Sequence, residues 1–299
     1  WLAPINHDWD YNAAFYGSKE YDYLSIGSSA GLKRYLNNKN TALNFGFSFS
    51  LDNIEPEGNI AKPLAKMGFD DASFNASRDG SSESKTIIDA LFGVTQVINR
   101  HTIMQFNYSL SLSDGYLTDP FKILSVIDET AGANYGGNFV EGGHNTYLYE
   151  ARPDSRMKHS LYWQTKYALG NGDVIDGSYR FMIDDWGINS HTFDFRYRWQ
   201  FGSNYLEPHL RYYMQSKADF YKRYIGSNEY LAGNLTEATA DYRLGDLDGL
   251  TVGLKYGHQL EDDTEFNMRI EYYMQSSSGD NGFGLLKNQD LYPDTTALI

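Results

Sequence analysis

Between residues 174 and 215, charged side chains recur at every second or fourth position: Asp176, Arg180 and Asp184, then Asp194, Arg196 and Arg198, then Glu207, His209 and Arg211. A strand points successive side chains to opposite faces, so each set shares one face of a sheet. Carboxylates and guanidiniums in such rows do one of two things. They neutralise one another and brace a wall, or they line a polar path and select solutes by charge. A two-residue turn at Gly202 and Ser203 sets Arg198 opposite Glu207, Arg196 opposite His209 and Asp194 opposite Arg211. The same register brings Trp199 against Leu206 and Phe195 against Leu210 on the other face, so both faces agree. In the preceding hairpin, charge matching predicts Arg180 opposite Asp194 and Asp176 opposite Arg198. Asn267, Arg269, Glu271, Tyr273 and Gln275 continue the polar face further along the chain.

Other chemistry is sparse. The sequence holds no glycine-rich phosphate loop, no HExxH, no GxSxG elbow and no cysteine. His159 beside Ser160 invites comparison with a hydrolytic pair, but a chance neighbour explains it better, so no catalytic residue and no cofactor are assigned. Asp184 with Asp185, Asp246 with Asp248, and Glu261 with Asp262 and Asp263 could offer oxygen ligands to calcium. None has the spacing of a calcium loop, and solvated acidic turns account for them without a metal. A net charge of -14 without clustered Lys and Arg argues against a nucleic-acid partner.

The elements that position these residues are long alternating segments. Residues 42–52, ALNFGFSFSLD, place Leu43, Phe45, Phe47, Phe49 and Leu51 on one face and Asn44, Gly46, Ser48, Ser50 and Asp52 on the other. About ten residues of such alternation cross a bilayer at a tilt, whereas strands of soluble proteins usually run about 5 to 6. Segments of this kind are read at 10–18, 23–36, 41–52, 86–97, 102–113, 158–169, 174–184, 191–201, 204–215, 250–258 and 265–275. Tight turns at 37–40, 98–101, 170–173, 202–203 and 261–264 alternate with long connections at 53–85, 114–157, 216–249 and from 276 onward. Two shorter connections, 18–21 and 185–190, fall on the long side. This is the rhythm of an outer-membrane barrel, with short periplasmic turns and longer extracellular loops. To keep it, residues 237–244 (EATADYRL) are read as a short hairpin within an extracellular loop rather than as a wall strand.

No apolar run is long enough for a transmembrane helix, and mean hydropathy is -0.53. Barrels hide their apolar band in alternate positions, so this value does not oppose a membrane location. Aromatic residues, 16% of the chain, suit strands and membrane interfaces. Trp199, Phe201 and Tyr205 are read as part of an inner aromatic girdle. Tyr212, Tyr213, Tyr272 and Tyr273 fall at the outer interface. The expected fold is all-β: one antiparallel up-and-down transmembrane β-barrel over residues 1–299, with eleven readable strands. A soluble sandwich is opposed by strand length and loop alternation. WLAPINHDWD lacks the form of a signal peptide, which implies a cleaved leader or an incomplete start. LYPDTTALI stops where a closing strand would begin.

Residues 152–201 (RPDSRMKHSLYWQTKYALGNGDVIDGSYRFMIDDWGINSHTFDFRYRWQF), 205–224 (YLEPHLRYYMQSKADFYKRY), 89–128 and 286–294 (LKNQDLYPD) resemble a family of Gram-negative outer-membrane proteins catalogued as domain of unknown function three-five-seven-zero. The resemblance covers nearly the whole chain. It implies an outer-membrane barrel and supplies no established activity and no catalytic residues. It also implies a signal peptide and further strands before Trp1 and a strand after Ile299, for a total of about 12 to 16, even numbers being the rule. Gene neighbourhoods implied by the resemblance, a periplasmic flavin transferase and a small lipoprotein, hint at an envelope redox or export partner. The leading functional expectation is a channel or conduit for a small solute or partner segment. The alternatives are a plugged barrel that anchors an envelope protein and, behind both, an outer-membrane enzyme. Outer-membrane lipid and lipopolysaccharide are the expected surroundings.

Overall fold

A computed structural model describes residues 2–130, 137–260, 264–278 and 294–298. The chain begins as β1 (Leu2–Asn6), β2 (Trp9–Lys19), β3 (Tyr23–Leu36), β4 (Thr41–Ile54), β5 (Glu83–Asn99) and β6 (Thr102–Gly115). It leaves this wall for four short loop strands, β7 (Ile123–Ile127), β8 (Val140–Glu141), β9 (His144–Asn145) and β10 (Tyr147–Tyr149). It returns as β11 (Ser155–Ala168), β12 (Val174–Asp184), β13 (Asn189–Phe201) and β14 (Asn204–Gln215). A loop strand β15 (Ile225–Gly226) precedes β16 (Asp246–Gln259), β17 (Glu265–Ser278) and β18 (Thr295–Leu298).

Thirteen of these strands form one antiparallel sheet in which each pairs with the next wall strand along the chain, from β1 at one edge to β18 at the other. All eleven segments read from the sequence are wall strands. β1 and β18 extend them: β18 begins inside LYPDTTALI, ahead of the strand expected after Ile299, and β1 is too short to show alternation. β3, β4, β6, β11, β16 and β17 each run 14 residues, a length that spans hydrocarbon with residues to spare.

The two faces differ as the alternation requires. Phe45, Phe47, Phe49 and Leu51 are exposed on one side of β4, and Phe193, Phe195, Trp199 and Leu210 on the same side of β13 and β14. The opposite side carries hydrogen-bonded polar groups, such as Ser48 Oγ donating to Asp89 at 2.8 Å and Ser25 Oγ to Asp52 at 2.6 Å. A large apolar face left bare on both halves of a sheet is stable against lipid, not water.

At one end the connections are tight. Asn37, Asn38 and Lys39 take left-handed φ values of 51, 54 and 66° between β3 and β4, and Gly202 turns β13 into β14 at 60°. The turn expected at 261–264 falls largely outside the described residues. At the other end, the connections 55–82, 116–154 and 216–245 build a cap with its own interior. β7 pairs with β10 and with β15 in a three-stranded sheet over Leu124, Val126, Leu148, Ile225 and Ala238. A second cluster joins Trp186 and Ile188 of the β12–β13 connection to Ala218, Phe220, Tyr221 and Leu244. Residues 237–244 stay out of the wall, as expected. They form isolated bridges, Ala238 to Ala151 and Thr239 to Tyr221, and a 3₁₀ turn at Tyr242–Leu244, instead of a hairpin.

Candidate lumenal site

The polar face is most charged across β12, β13, β14, β16 and β17. The β13–β14 register is the one that the Gly202–Ser203 turn dictates: Asp194 opposite Arg211, Arg196 opposite His209, Trp199 opposite Leu206 and Phe195 opposite Leu210. Arg198 Nε donates to Glu207 Oε2 at 2.9 Å, and its guanidinium stacks over the Tyr205 ring at 4.1 Å. The β12–β13 register differs from the expected one by two residues. Asp176 stands opposite Arg196, Ser178 opposite Asp194 and Arg180 opposite Thr192. The cause is local. Asp184 Oδ1 accepts the backbone N–H groups of Trp186 and Ile188 at 3.1 and 2.8 Å, and Gly187 turns the chain at φ 84°. That cap shortens the connection and draws β13 one pair further along. A two-residue slip keeps every side chain on its face, so only the partners change.

Asp184 is therefore a loop clamp, also held by Arg156 Nε at 2.8 Å, and not a member of the open ladder. Asp176 is engaged by Lys166 at 3.1 Å and by Gln164 Nε2 at 2.7 Å. His209 is buried, and its two ring nitrogens face two carboxylates. Nε2 lies 2.8 Å from Asp194 Oδ2 and Nδ1 lies 2.9 Å from Glu271 Oε1. Glu271 belongs to β17, two strands from β14. The intervening residue is Gly253, opposite both His209 and Glu271, and a side chain there would fill the gap through which they meet. Arg196 sits 3.4 Å from Asp194, and Arg269 lies 3.6 Å from Glu271. Arg180 and Arg211 are exposed on the same face, and among the described residues neither forms an ion pair.

Tyr205 corrects the girdle assignment. Its ring is only 4% exposed and lies on the polar face, its hydroxyl donating to Glu265 at 2.6 Å. The register itself demands this, because Tyr205 has the parity of Glu207 and His209. Gly257 opposite it leaves room for the ring. Tyr213 and Tyr273 likewise face inward, each donating to the Gln two residues on, at 2.5 and 2.8 Å. Trp199, Phe201, Tyr212 and Tyr272 are exposed on the apolar face. Two Tyr–His pairs there escaped the sequence reading, Tyr108 with His159 at 2.8 Å and Tyr179 with His191 at 2.7 Å. His159 and Ser160, as neighbours on one strand, point to opposite faces.

Each carboxylate of the two described acidic pairs accepts a hydrogen bond from the chain itself. Asp185 accepts Met157 N–H, Asp246 accepts Lys217 N–H and Asp248 accepts the Tyr212 hydroxyl. Glu261, Asp262 and Asp263 lie outside the described residues. Among the described residues, no group of three His, Asp or Glu side chains is arranged to hold a metal ion.

Two connections of the cap are joined by a buried ion cluster that the sequence did not signal. Arg152 Nε lies 2.7 Å from Glu150 Oε1 and its Nη2 lies 3.0 Å from Asp241 Oδ2, linking the two longest connections. Burial alone would raise the Asp241 carboxyl. Hydrogen bonds from the Arg243 side chain and backbone, with the charges of Arg243 and Arg152, outweigh it and hold Asp241 below its ordinary value. The neighbouring Tyr116 hydroxyl is pushed up to about 12 by burial and by Glu150 and Asp119.

Compared with family models, the sequence matches "Protein of unknown function (DUF3570)" over residues 1–299. The chain belongs to this family. Curated proteins give no match. Among solved structures, this family member is similar to the ferric-catecholate import receptor Fiu from E. coli K12, at 10% identity and TM-score 0.44, covering 92% of this chain and 56% of the receptor. A Pseudomonas aeruginosa FadL homologue aligns at 11% identity and TM-score 0.42, covering 93% and 69%. OmpT, an outer membrane protein of Vibrio cholerae, aligns at 10% and 0.36, covering 97% and 93%. The chain thus spans little more than half of the first of these. The family member's own wall is that of an outer-membrane β-barrel: chain-ordered antiparallel strands of bilayer length, an exposed apolar face, tight turns at one end and long connections at the other.

Proposed function

We propose that this protein is an outer-membrane conduit for a small solute, its path running along the charged face of β12–β17. One observation carries the reading: Arg180 and Arg211 stand exposed on that face and form no ion pair among the described residues, while the carboxylates beside them are held by other groups, within a strand or across strands. Charge held in this way requires water around it, and a dry, plugged interior would not tolerate it. Outer-membrane lipid and lipopolysaccharide would meet the opposite, apolar face.

Conductance across planar bilayers tests this. The purified protein should pass current, and Arg198→Ala with Arg211→Ala should shift its anion-to-cation selectivity toward cations. A barrel that passes no current is not a conduit. A second reading, an anchor for an envelope protein, is favoured by the cap, whose own sheet and two apolar clusters make it a folded unit and not a set of free loops. Purification in mild detergent then recovers a stoichiometric partner, and recovery of the bare barrel speaks against it.

A further inference from the structure

The ladder is unevenly neutralised, and the imbalance is localised. Each of its carboxylates is taken up by a group other than Arg180 or Arg211: Asp176 by Lys166 and Gln164, Asp194 by His209 and Arg196, Glu207 by Arg198, and Glu271 by His209 and Arg269. The two remaining guanidiniums flank a single strand. Arg180 on β12 lies opposite Thr192 of β13, and Arg211 on β14 lies opposite Asp194, two residues away on that same strand. Strands two apart stand about 9.5 Å apart, a gap that two arginine side chains converge across readily. Both line one cavity of about 270 Å³ on the polar face, together with Arg196, Tyr162, Ser178 and Thr192. Asp194 is also in its lining, but with its charge already engaged by His209 and Arg196.

We propose that this cavity is a binding site for a small oxyanion carrying two or more negative charges, of the phosphate or polycarboxylate class. Guanidinium forks donate two parallel hydrogen bonds to such a group, and hydroxyl donors from Ser178, Thr192 and Tyr162 complete a shell that carries no further charge. Three arginines against one engaged carboxylate leave a local excess of positive charge in a chain whose net charge is -14. A wall meant only to be braced has no use for two arginines that form no ion pair among the described residues. The site deepens the conduit reading and rests on it for its route of access.

Isothermal titration of inorganic phosphate into the detergent-purified full chain tests the assignment, with citrate and chloride titrated in parallel at fixed ionic strength. Phosphate and citrate should bind saturably and chloride should not. Arg180→Gln with Arg211→Gln should weaken binding at least about tenfold, the loss expected when about 1.4 kcal/mol is removed. Arg198→Gln, which alters an arginine already paired with Glu207 outside the cavity, should leave binding unchanged. Should the double Gln variant fail to fold, judged by its gel mobility before and after heating, Arg180→Lys with Arg211→Lys keeps the charge while removing the fork, and must bind more weakly than the wild type. Absence of saturable binding by the wild-type protein overturns the site, as does equal binding by either double variant. Conductance separates the two proposals: current without phosphate binding or block retires the site and keeps the conduit, whereas binding without current does the reverse.

Discussion

Gly253→Ala is the sharpest probe of how the charged face is assembled. His209 on β14 reaches Glu271 on β17 over a strand whose residue in that row has no side chain. An added methyl at 253 would lie 2.8 Å from Glu271 Cγ and 3.2 Å from Oε1, where carbon–carbon contacts settle at about 3.5 to 4.0 Å. Cγ is next to the backbone-anchored Cβ, so Glu271 cannot yield by moving only its tip. The side chain must take another rotamer and give up its 2.9 Å contact with His209. Hydrogen bonds involving a charged group contribute about 1.5 to 3 kcal/mol, and replacing Gly by Ala in a strand returns about 0.5 to 1 kcal/mol. The expected net loss is about 1 to 2 kcal/mol, read as a lowered midpoint in urea unfolding from detergent micelles. In a Glu271→Ala background, which removes Cγ, the same substitution should be neutral or stabilising. A double-mutant cycle therefore isolates the clash. Equal destabilisation by Gly253→Ala in both backgrounds would refute the argument.

Arg152→Leu leaves the buried Glu150 without its cation and removes one of the two arginines that face Asp241, and should cost about 3 to 5 kcal/mol of cap stability; limited proteolysis should then cut residues 116–154 and 216–245 while the wall strands stay protected. Because the folded-state value of Asp241 is depressed, its stabilisation is present above its unfolded value near pH 4 and is lost as pH falls through the lower folded value. Amide exchange in the cap should accelerate below about pH 4, and Asp241→Asn should flatten that dependence. Asp184→Ala leaves two backbone N–H groups and the Arg156 guanidinium without their acceptor, which should cost about 1 to 3 kcal/mol and shift Trp186 fluorescence to the red as the connection loosens. An unshifted spectrum would show that Gly187 alone sets the turn.

The sequence determined which residues form the wall and which way each points. Period-two alternation fixes the face of every side chain once a strand is recognised, and the two-residue turn at Gly202 and Ser203 fixes the β13–β14 partners because it leaves no slack. The inward position of Tyr205 was legible from that same parity, and its assignment to a girdle overlooked it. Only the tertiary structure decided the rest. The β12–β13 register depends on a side chain, Asp184, folding back onto the backbone of its own loop, which charge matching along strands cannot anticipate. The meeting of His209 and Glu271 depends on which strand lies between them and on its having a glycine in that row. The cap, with Arg152 between Glu150 and Asp241, arises from segments distant in the chain that carry no periodicity, so nothing local announces it. Alternation is a property of neighbours, and it reports faces; partners across two strands and between loops follow from how the sheet is ordered in space, and that order brings Arg180 and Arg211 to one cavity.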